Sequence, residues 1–199
     1  MSYLARRTEA PADAPVVFTF HGTGGDENQF HPVAERLLPG ARVVSPRGDV
    51  AENGALRYFR RKAEGFYDMA DLALRTRAMA AFLAEERGAA PEAIGLGYSN
   101  GANIMASVSF AAPESFDRMI LLHPLIPFDP PAQRGLAGRR VLITAGRRDP
   151  ICPPEHSLRL EGYYRAQGAE VTLAWHEGGH DIRPQEIESV RAFLARAAA

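Results

Sequence analysis

Apolar and polar positions along the chain fall into two alternating patterns. The first is a short, nearly unbroken apolar run, seen in VVFTF (16–20), ARVVSP (41–46), IGLGYS (94–99), RMILLH (118–123), RVLITAG (140–146) and EVTLAWH (170–176). Runs of that length, rich in β-branched residues, predict strands buried on both faces. The second is a helical period: Met69, Leu72, Leu74, Met79, Phe82 and Leu83 recur between Asp68, a candidate N-cap, and Gly88, a candidate stop. Further helices are expected over 100–110, 154–167 and 184–197. Strands alternating with helices require crossover connections, and the economical arrangement is a mostly parallel sheet with helices on both faces. The predicted class is α/β, in one domain over residues 1–199, with the polar, Pro/Ala-rich stretch 1–15 read as irregular.

In such a sheet, reactive groups collect beyond the carboxyl ends of the strands. The segments there are HGTGG, PRGDVAENG, SNGA, HPLIP, RRDPICP and HEGGHD, and they hold the polar residues of interest. GYSNGA (97–102) has the strand-to-helix G-x-S-x-G spacing that exposes a serine hydroxyl at a sharp turn. A hydroxyl becomes a nucleophile when an imidazole takes its proton and a carboxylate fixes that imidazole's tautomer. Asp149, between a glycine and a proline after RVLITAG, and His180, after Gly178 and Gly179, complete the set Ser99, Asp149, His180. Asp129 is the rival acid and His176 the rival base, the latter tied to a strand end. Charge developing on an attacked carbonyl oxygen needs donors, for which the backbone N–H groups of Thr23 and Asn100 are placed. His21 is read as a support for the donor loop, and His123 and His156 as structural.

Composition narrows the partners. With 23 basic and 24 acidic residues the formal charge is -1, which gives no broad attraction to nucleic acid or anionic lipid. Cys152 is the single cysteine, so no intramolecular disulfide forms, as suits a reducing compartment. MSYLARRTEA has no apolar stretch behind its arginines, and no segment reaches membrane-spanning length. The chain reads as soluble and cytoplasmic. Cys152, His156, His176 and His180 lack short paired ligand spacing, so neither metal nor other cofactor is expected.

HGTGGDE, RYFRRKAEGFYDMADL (57–72), GYSNGA, HPLIPF, AGRRDPICP and the EGGH ending together resemble the phospholipase/carboxylesterase family of small α/β-hydrolases. The likeness runs from about residue 16 to 194 and is strongest to a bacterial branch of dienelactone-hydrolase-like and hydroquinone-linked hydrolases. It implies a carboxylesterase-type serine hydrolase with Ser99, Asp149 and His180 as its triad. Dienelactone hydrolases proper carry cysteine where this chain has Ser99, and acyl-protein thioesterases usually carry glutamine where it has Asn100.

Around the triad, Gly24, Phe30, Tyr58, Phe59, Tyr98, Ile151 and Cys152 are candidate lining residues. Arg60 and Arg61 either select a substrate carboxylate or pair with Glu64, Asp68 and Asp71. The segment PLIPFDPPAQRGLAGR is too short for a cap domain, so an open site taking small soluble esters is expected. Thioester or amide cleavage by the same groups, and a pocket that binds without turnover, are the alternatives. A homodimer is left open.

Overall fold

A computed structural model of the chain describes residues 3–11 and 13–196. In chain order the first elements are β1 (Ala5–Arg7), β2 (Val16–Phe20), α1 (His31–Leu37), β3 (Arg42–Pro46), β4 (Val50–Glu52), β5 (Ala55–Arg57), β6 (Arg61–Ala63), β7 (Phe66–Tyr67) and α2 (Met69–Arg87). They are followed by β8 (Ala93–Tyr98), α3 (Asn100–Ala111), β9 (Arg118–Leu122), β10 (Arg140–Gly146), α4 (Pro154–Ala166), β11 (Glu170–His176) and α5 (Pro184–Ala195). Seven strands form one sheet in the order β1-β3-β2-β8-β9-β10-β11. All neighbours are parallel except β1, which runs antiparallel to β3.

Alternate residues of each strand enter two cores. Val16, Phe18, Phe20, Met119, Leu121, Val141 and Ile143 pack with Met79, Leu83, Ile104, Met105 and Tyr164 from α2, α3 and α4. Val17, Val43, Ile94, Leu96, Ile120 and Leu142 face Ala34 of α1 and Val190 and Phe193 of α5. Both faces of the sheet are therefore covered, which is why the strands read as unbroken apolar runs. Asp68 caps α2 by accepting from the Asp71 amide, and Gly88 ends it.

Three parts of the expectation change. Residues 5–7 lie inside the stretch read as irregular, yet they form β1, with Ala5 opposite Pro46 and Arg7 paired to Glu86. A three-residue charged strand at a sheet edge has no apolar run to betray it, and edges tolerate charge because one side of the backbone is unpaired. Between β3 and α2 lie two hairpins not anticipated, β4–β5 and β6–β7. The first turns at Asn53 (φ 50°) and Gly54 (φ 83°), the left-handed pair that an Asn-Gly tight turn demands. Helix α5 ends at Ala195, and the expected end at Ala197 lies outside the described residues.

Among the described residues, no cap covers the sheet's carboxyl edge between β9 and β10. That segment holds one short 3-10 turn and is pinned to the helices by Tyr163 Oη donating to Pro131 O (2.7 Å) and Gln133 Nε2 to Phe110 O (3.0 Å). Nor is any described helix long and apolar enough to cross a membrane.

Gly101 locks the first turn of α3 against β2. A Cβ there would stand 2.4 Å from Phe20 O and 2.5 Å from His21 O, both backbone atoms that cannot turn aside. Gly101→Ala is expected to cost about 3 kcal/mol, the upper end of overpacking losses. In a chain of this size that lowers Tm by roughly 6–12 °C, measurable by thermal unfolding.

Candidate active site

Four neighbouring strands, β8, β9, β10 and β11, deliver one polar residue each from their carboxyl ends: Ser99, His123, Asp149 and His180. Ser99 sits between β8 and α3 with φ 50° and ψ -117°, a conformation L-residues seldom adopt. Its amide donates to Leu122 O (2.9 Å) and its carbonyl accepts from Asn103 N (2.9 Å), so sheet and helix together impose the turn. Strain held in this way is a property of sites where a side chain must be presented.

From Ser99 a hydrogen-bonded chain runs inward. His180 Nε2 lies 2.9 Å from Ser99 Oγ and His180 Nδ1 lies 2.7 Å from Asp149 Oδ2. Because the carboxylate only accepts, Nδ1 carries the proton and Nε2 is left to accept from the hydroxyl. Asp149 Oδ1 accepts from the amides of Ile151 (2.8 Å) and Cys152 (2.9 Å). Burial by itself would raise this carboxyl, but donors at His123, His180, Cys152 and Ile151 outweigh it and hold Asp149 well below the usual carboxylate range. Tyr98 steadies the imidazole loop: its ring lies 5.4 Å from that of His180, and its hydroxyl donates to His180 O (3.0 Å).

Beside Ser99 opens a cavity of about 270 Å³ lined by Thr23, Arg57, Arg61, Tyr67, Tyr98 and Ile151, among others. Its floor is fixed by a closed set of bonds in which Asn103 Nδ2 donates to Tyr67 Oη (2.8 Å), Tyr67 Oη to Leu125 O (2.6 Å) and Leu125 N to Asn103 Oδ1 (2.7 Å). Asn100 begins α3 at the cavity wall, where the positive end of the helix dipole lies. Its side-chain Oδ1 accepts from Tyr58 N (2.8 Å). Gly24 N donates to Leu56 O (2.9 Å), while the amides of Thr23 and Asn100 donate to no backbone carbonyl outside helices and strands among the described residues.

The structure brings Ser99, Asp149, His180, Thr23, Asn100, Arg61, Tyr98 and Ile151 to one place and leaves the other candidates out. Tyr58 is fully buried, donating to Pro46 O (2.8 Å) and accepting from His21 N (3.1 Å). Phe59 is fully buried against Tyr67, with ring centroids 4.8 Å apart. Phe30 belongs to the opposite core, touching the back of Tyr98. Gly24 is held by the β5 backbone, and Cys152 turns its thiol to Pro124 O (2.7 Å), away from the cavity. Arg60 points to solvent, 63% exposed, and pairs with Asp68 and Asp71, so it is not a wall residue. Arg61 lines the cavity but is already paired with Glu52 (3.1 Å) and with Glu64. His21 donates from Nδ1 to Gly22 O (2.7 Å) and accepts from Gly48 N (2.9 Å), a buried support of the donor loop. Rival Asp129 is 94% exposed, paired only with Arg159 among the described residues.

Two residues of the site are not singled out for it by the sequence reading, Arg57 and His123. Arg57, 3% exposed, donates to Thr23 Oγ1 (2.8 Å) and thereby holds the loop after β2. The signal for it was Asn53-Gly54, since that turn fixes the hairpin whose last residue is Arg57. His123 is expected from the sequence to be structural, yet its Nδ1 lies 2.8 Å from Asp149 Oδ2. Its position directly after β9, on the same edge as the other three, was the signal.

No family model matches the sequence. Among curated proteins it is 38% identical over 189 residues to Putative hydrolase MhqD of Bacillus subtilis (strain 168), a match covering 92% of this chain and 93% of that protein. Among solved structures, a protein of unknown function from Agrobacterium tumefaciens, Atu2452, is 52% identical with a TM-score of 0.91, over 97% of this chain and 96% of that one. The Bacillus cereus carboxylesterase is 36% identical with a TM-score of 0.90, over 96% and 92%. Likeness of that extent to a hydrolase and a carboxylesterase, on a fold with these strand-end residues, places the chain: it belongs to the phospholipase/carboxylesterase family of small α/β-hydrolases.

Proposed function

We propose that the protein hydrolyses carboxylic esters through an acyl-enzyme formed on Ser99. The observation that carries this reading is the unbroken chain from Asp149 through His180 to Ser99, with contacts of 2.7 Å and 2.9 Å in the tautomer that nucleophilic attack requires. His180 Nε2 takes the hydroxyl proton as Oγ bonds to the ester carbon. Asp149, fixed by two backbone amides, holds the resulting imidazolium. The oxyanion is received by the amides of Asn100, at the head of α3, and Thr23, whose loop Arg57 secures. Collapse expels the alkoxide, which takes the proton from His180. The same imidazole then draws a proton from water, which attacks the acyl carbon and frees Ser99.

Substrate size follows from the cavity. At about 270 Å³ it lies just below the range of pockets for drug-sized ligands. With no cap over the edge among the described residues and a wall shared between Tyr67, Leu125, Ile151 and the paired Arg61, the site suits a short, soluble ester over a long lipid chain. Carboxylesterases among the structural relatives support the ester over other acyl donors.

A fluorophosphonate probe tests the assignment. It is expected to modify the native protein once, on the peptide containing Ser99, with complete loss of esterase activity. Modification of another serine with activity lost in parallel would overturn it.

A further inference from the structure

Four groups lie behind Asp149 that the reaction above does not use: His123, Glu186, His176 and Thr144, all buried. His123 has φ 50° and is 1% exposed, with its amide donating to Thr144 O (3.0 Å). Its Nδ1 is 2.8 Å from Asp149 Oδ2, the same oxygen that meets His180, and its Nε2 is 3.0 Å from Glu186 Oε1. Glu186 Oε1 also accepts from Thr144 Oγ1 (2.5 Å), and Oε2 from the Arg183 amide (2.6 Å).

The protons in this cluster can be assigned from its partners. Gly178 N donates to His176 Nδ1 (3.0 Å), which puts the proton of His176 on Nε2, 3.3 Å from Glu186 Oε2. His123 meets a carboxylate oxygen at each nitrogen, and ionised carboxylates only accept, so both nitrogens donate. The two Nε2 atoms, 3.3 Å apart, are therefore both donors converging on Glu186. His123, His176 and Glu186 are close enough together to hold a metal ion, but with each Nε2 bearing a proton neither ring has a lone pair to offer there. Burial pulls the His123 imidazole down, and hydrogen bonds to Asp149 and Glu186 more than reverse this, pushing it up to about 9. Glu186 is likewise disfavoured by burial and held below its ordinary range by His123 and Thr144. The remaining groups facing His123 are the rings of His176 (5.2 Å), His180 (5.1 Å) and Tyr98 (6.0 Å).

We propose that His123 is a positioning residue for the reaction assigned above to Ser99: a buried imidazolium, clamped between Asp149 and Glu186, that fixes Asp149 and cancels one of the two carboxylate charges behind His180. The inference rests on that assignment. Two carboxylates and one imidazolium leave a single negative charge facing His180. One charge stabilises the imidazolium formed during attack. Two would hold the proton on His180 over a wider pH range, so that less enzyme carries the free base.

Charge counting supplies the test. Asparagine tolerates a left-handed backbone and offers an Nδ2 donor near the place of Nδ1, so His123→Asn keeps one bond to Asp149 and loses the charge. Its kcat/KM, taken relative to its own alkaline plateau, is expected to fall about tenfold below wild type near pH 6, as the acid limb moves to higher pH. His123→Asn combined with Glu186→Gln restores the original net charge and is expected to bring the limb back. A limb unmoved in His123→Asn, or one not restored in the double variant, would overturn the proposal. Nitrogen-15 NMR of the histidines in the wild-type protein gives a readout independent of folding in the variants and of the identity of the nucleophile. The His123 ring is expected to stay doubly protonated through about pH 8, above the ordinary histidine range. Titration of that ring near pH 6.5 would refute the clamp while leaving Ser99 untouched.

Discussion

Ser99→Ala is expected to lower kcat for p-nitrophenyl acetate by about a million-fold, the loss seen when a serine nucleophile is removed from a triad that acts as a unit. On the proposed reading, the contacts of 2.9 Å and 2.7 Å that run from the Ser99 hydroxyl through His180 to Asp149 are left without a nucleophile to serve. What survives is the modest acceleration that the cavity and the backbone donors give to attack by water. The variant should fold normally, because alanine keeps the Cβ and the neighbouring bonds to Leu122 and Asn103 are backbone bonds. Steady-state rates with circular dichroism as control decide the matter. A folded variant retaining a tenth of wild-type activity would remove Ser99 from the chemistry.

Asp149→Asn should cost about ten-thousand-fold in kcat, through tautomer rather than geometry. If the new amide oxygen keeps the Ile151 and Cys152 donors, its NH2 group replaces Oδ2 and confronts the Nδ1 protons of both His180 and His123. His180 then relieves the clash by carrying its proton on Nε2, where it cannot accept from Ser99. If the amide turns the other way, the buried Cys152 N–H and the half-buried Ile151 N–H lose their acceptor, which costs about 1–3 kcal/mol in stability. Either orientation is read by combining kcat with denaturant unfolding. A loss under tenfold would show that His180 needs no carboxylate behind it.

Much of this architecture was legible in the sequence because burial on both faces writes itself as uninterrupted apolar runs. VVFTF and RVLITAG became β2 and β10 at the stated bounds, and Asp68 and Gly88 bracket α2. β1 and the second hairpin were not legible, since two- and three-residue strands carrying Arg6, Arg7, Arg61 and Lys62 contribute little to either core, and the first hairpin was marked by its Asn53-Gly54 turn alone. Strand ends told where chemistry collects, which is how Ser99, Asp149 and His180 were singled out. The cavity wall depended on finer detail. Arg57 and Arg60 are three residues apart, and only the hairpin geometry decides that Arg57 turns toward Thr23 while Arg60 turns toward Asp68 and Asp71. Glu186 was invisible for a similar reason: it sits in the first turn of α5, doubling as part of that helix's cap, and nothing local marks it as His123's partner.

The loops after β10 and β11 are clipped to one another: Arg147 N donates to His176 O (2.9 Å) and Arg148 N to Gly178 O (3.0 Å). Asp149 and His180 thus sit on one piece, mounted on the border of the sheet where β11 pairs with β10 alone among the described strands. Ser99, by contrast, stands between β8 and a helix buried over nearly its whole length. What ties that border piece to the interior is a short set of contacts, Asp149 to His123 (2.8 Å), His176 to Glu186 (3.3 Å) and Tyr98 Oη to His180 O (3.0 Å), and sheet borders are where local opening costs least. Esterase activity is therefore expected to be lost on warming before the protein melts, and the gap between the two temperatures would measure how firmly the outermost strand is held.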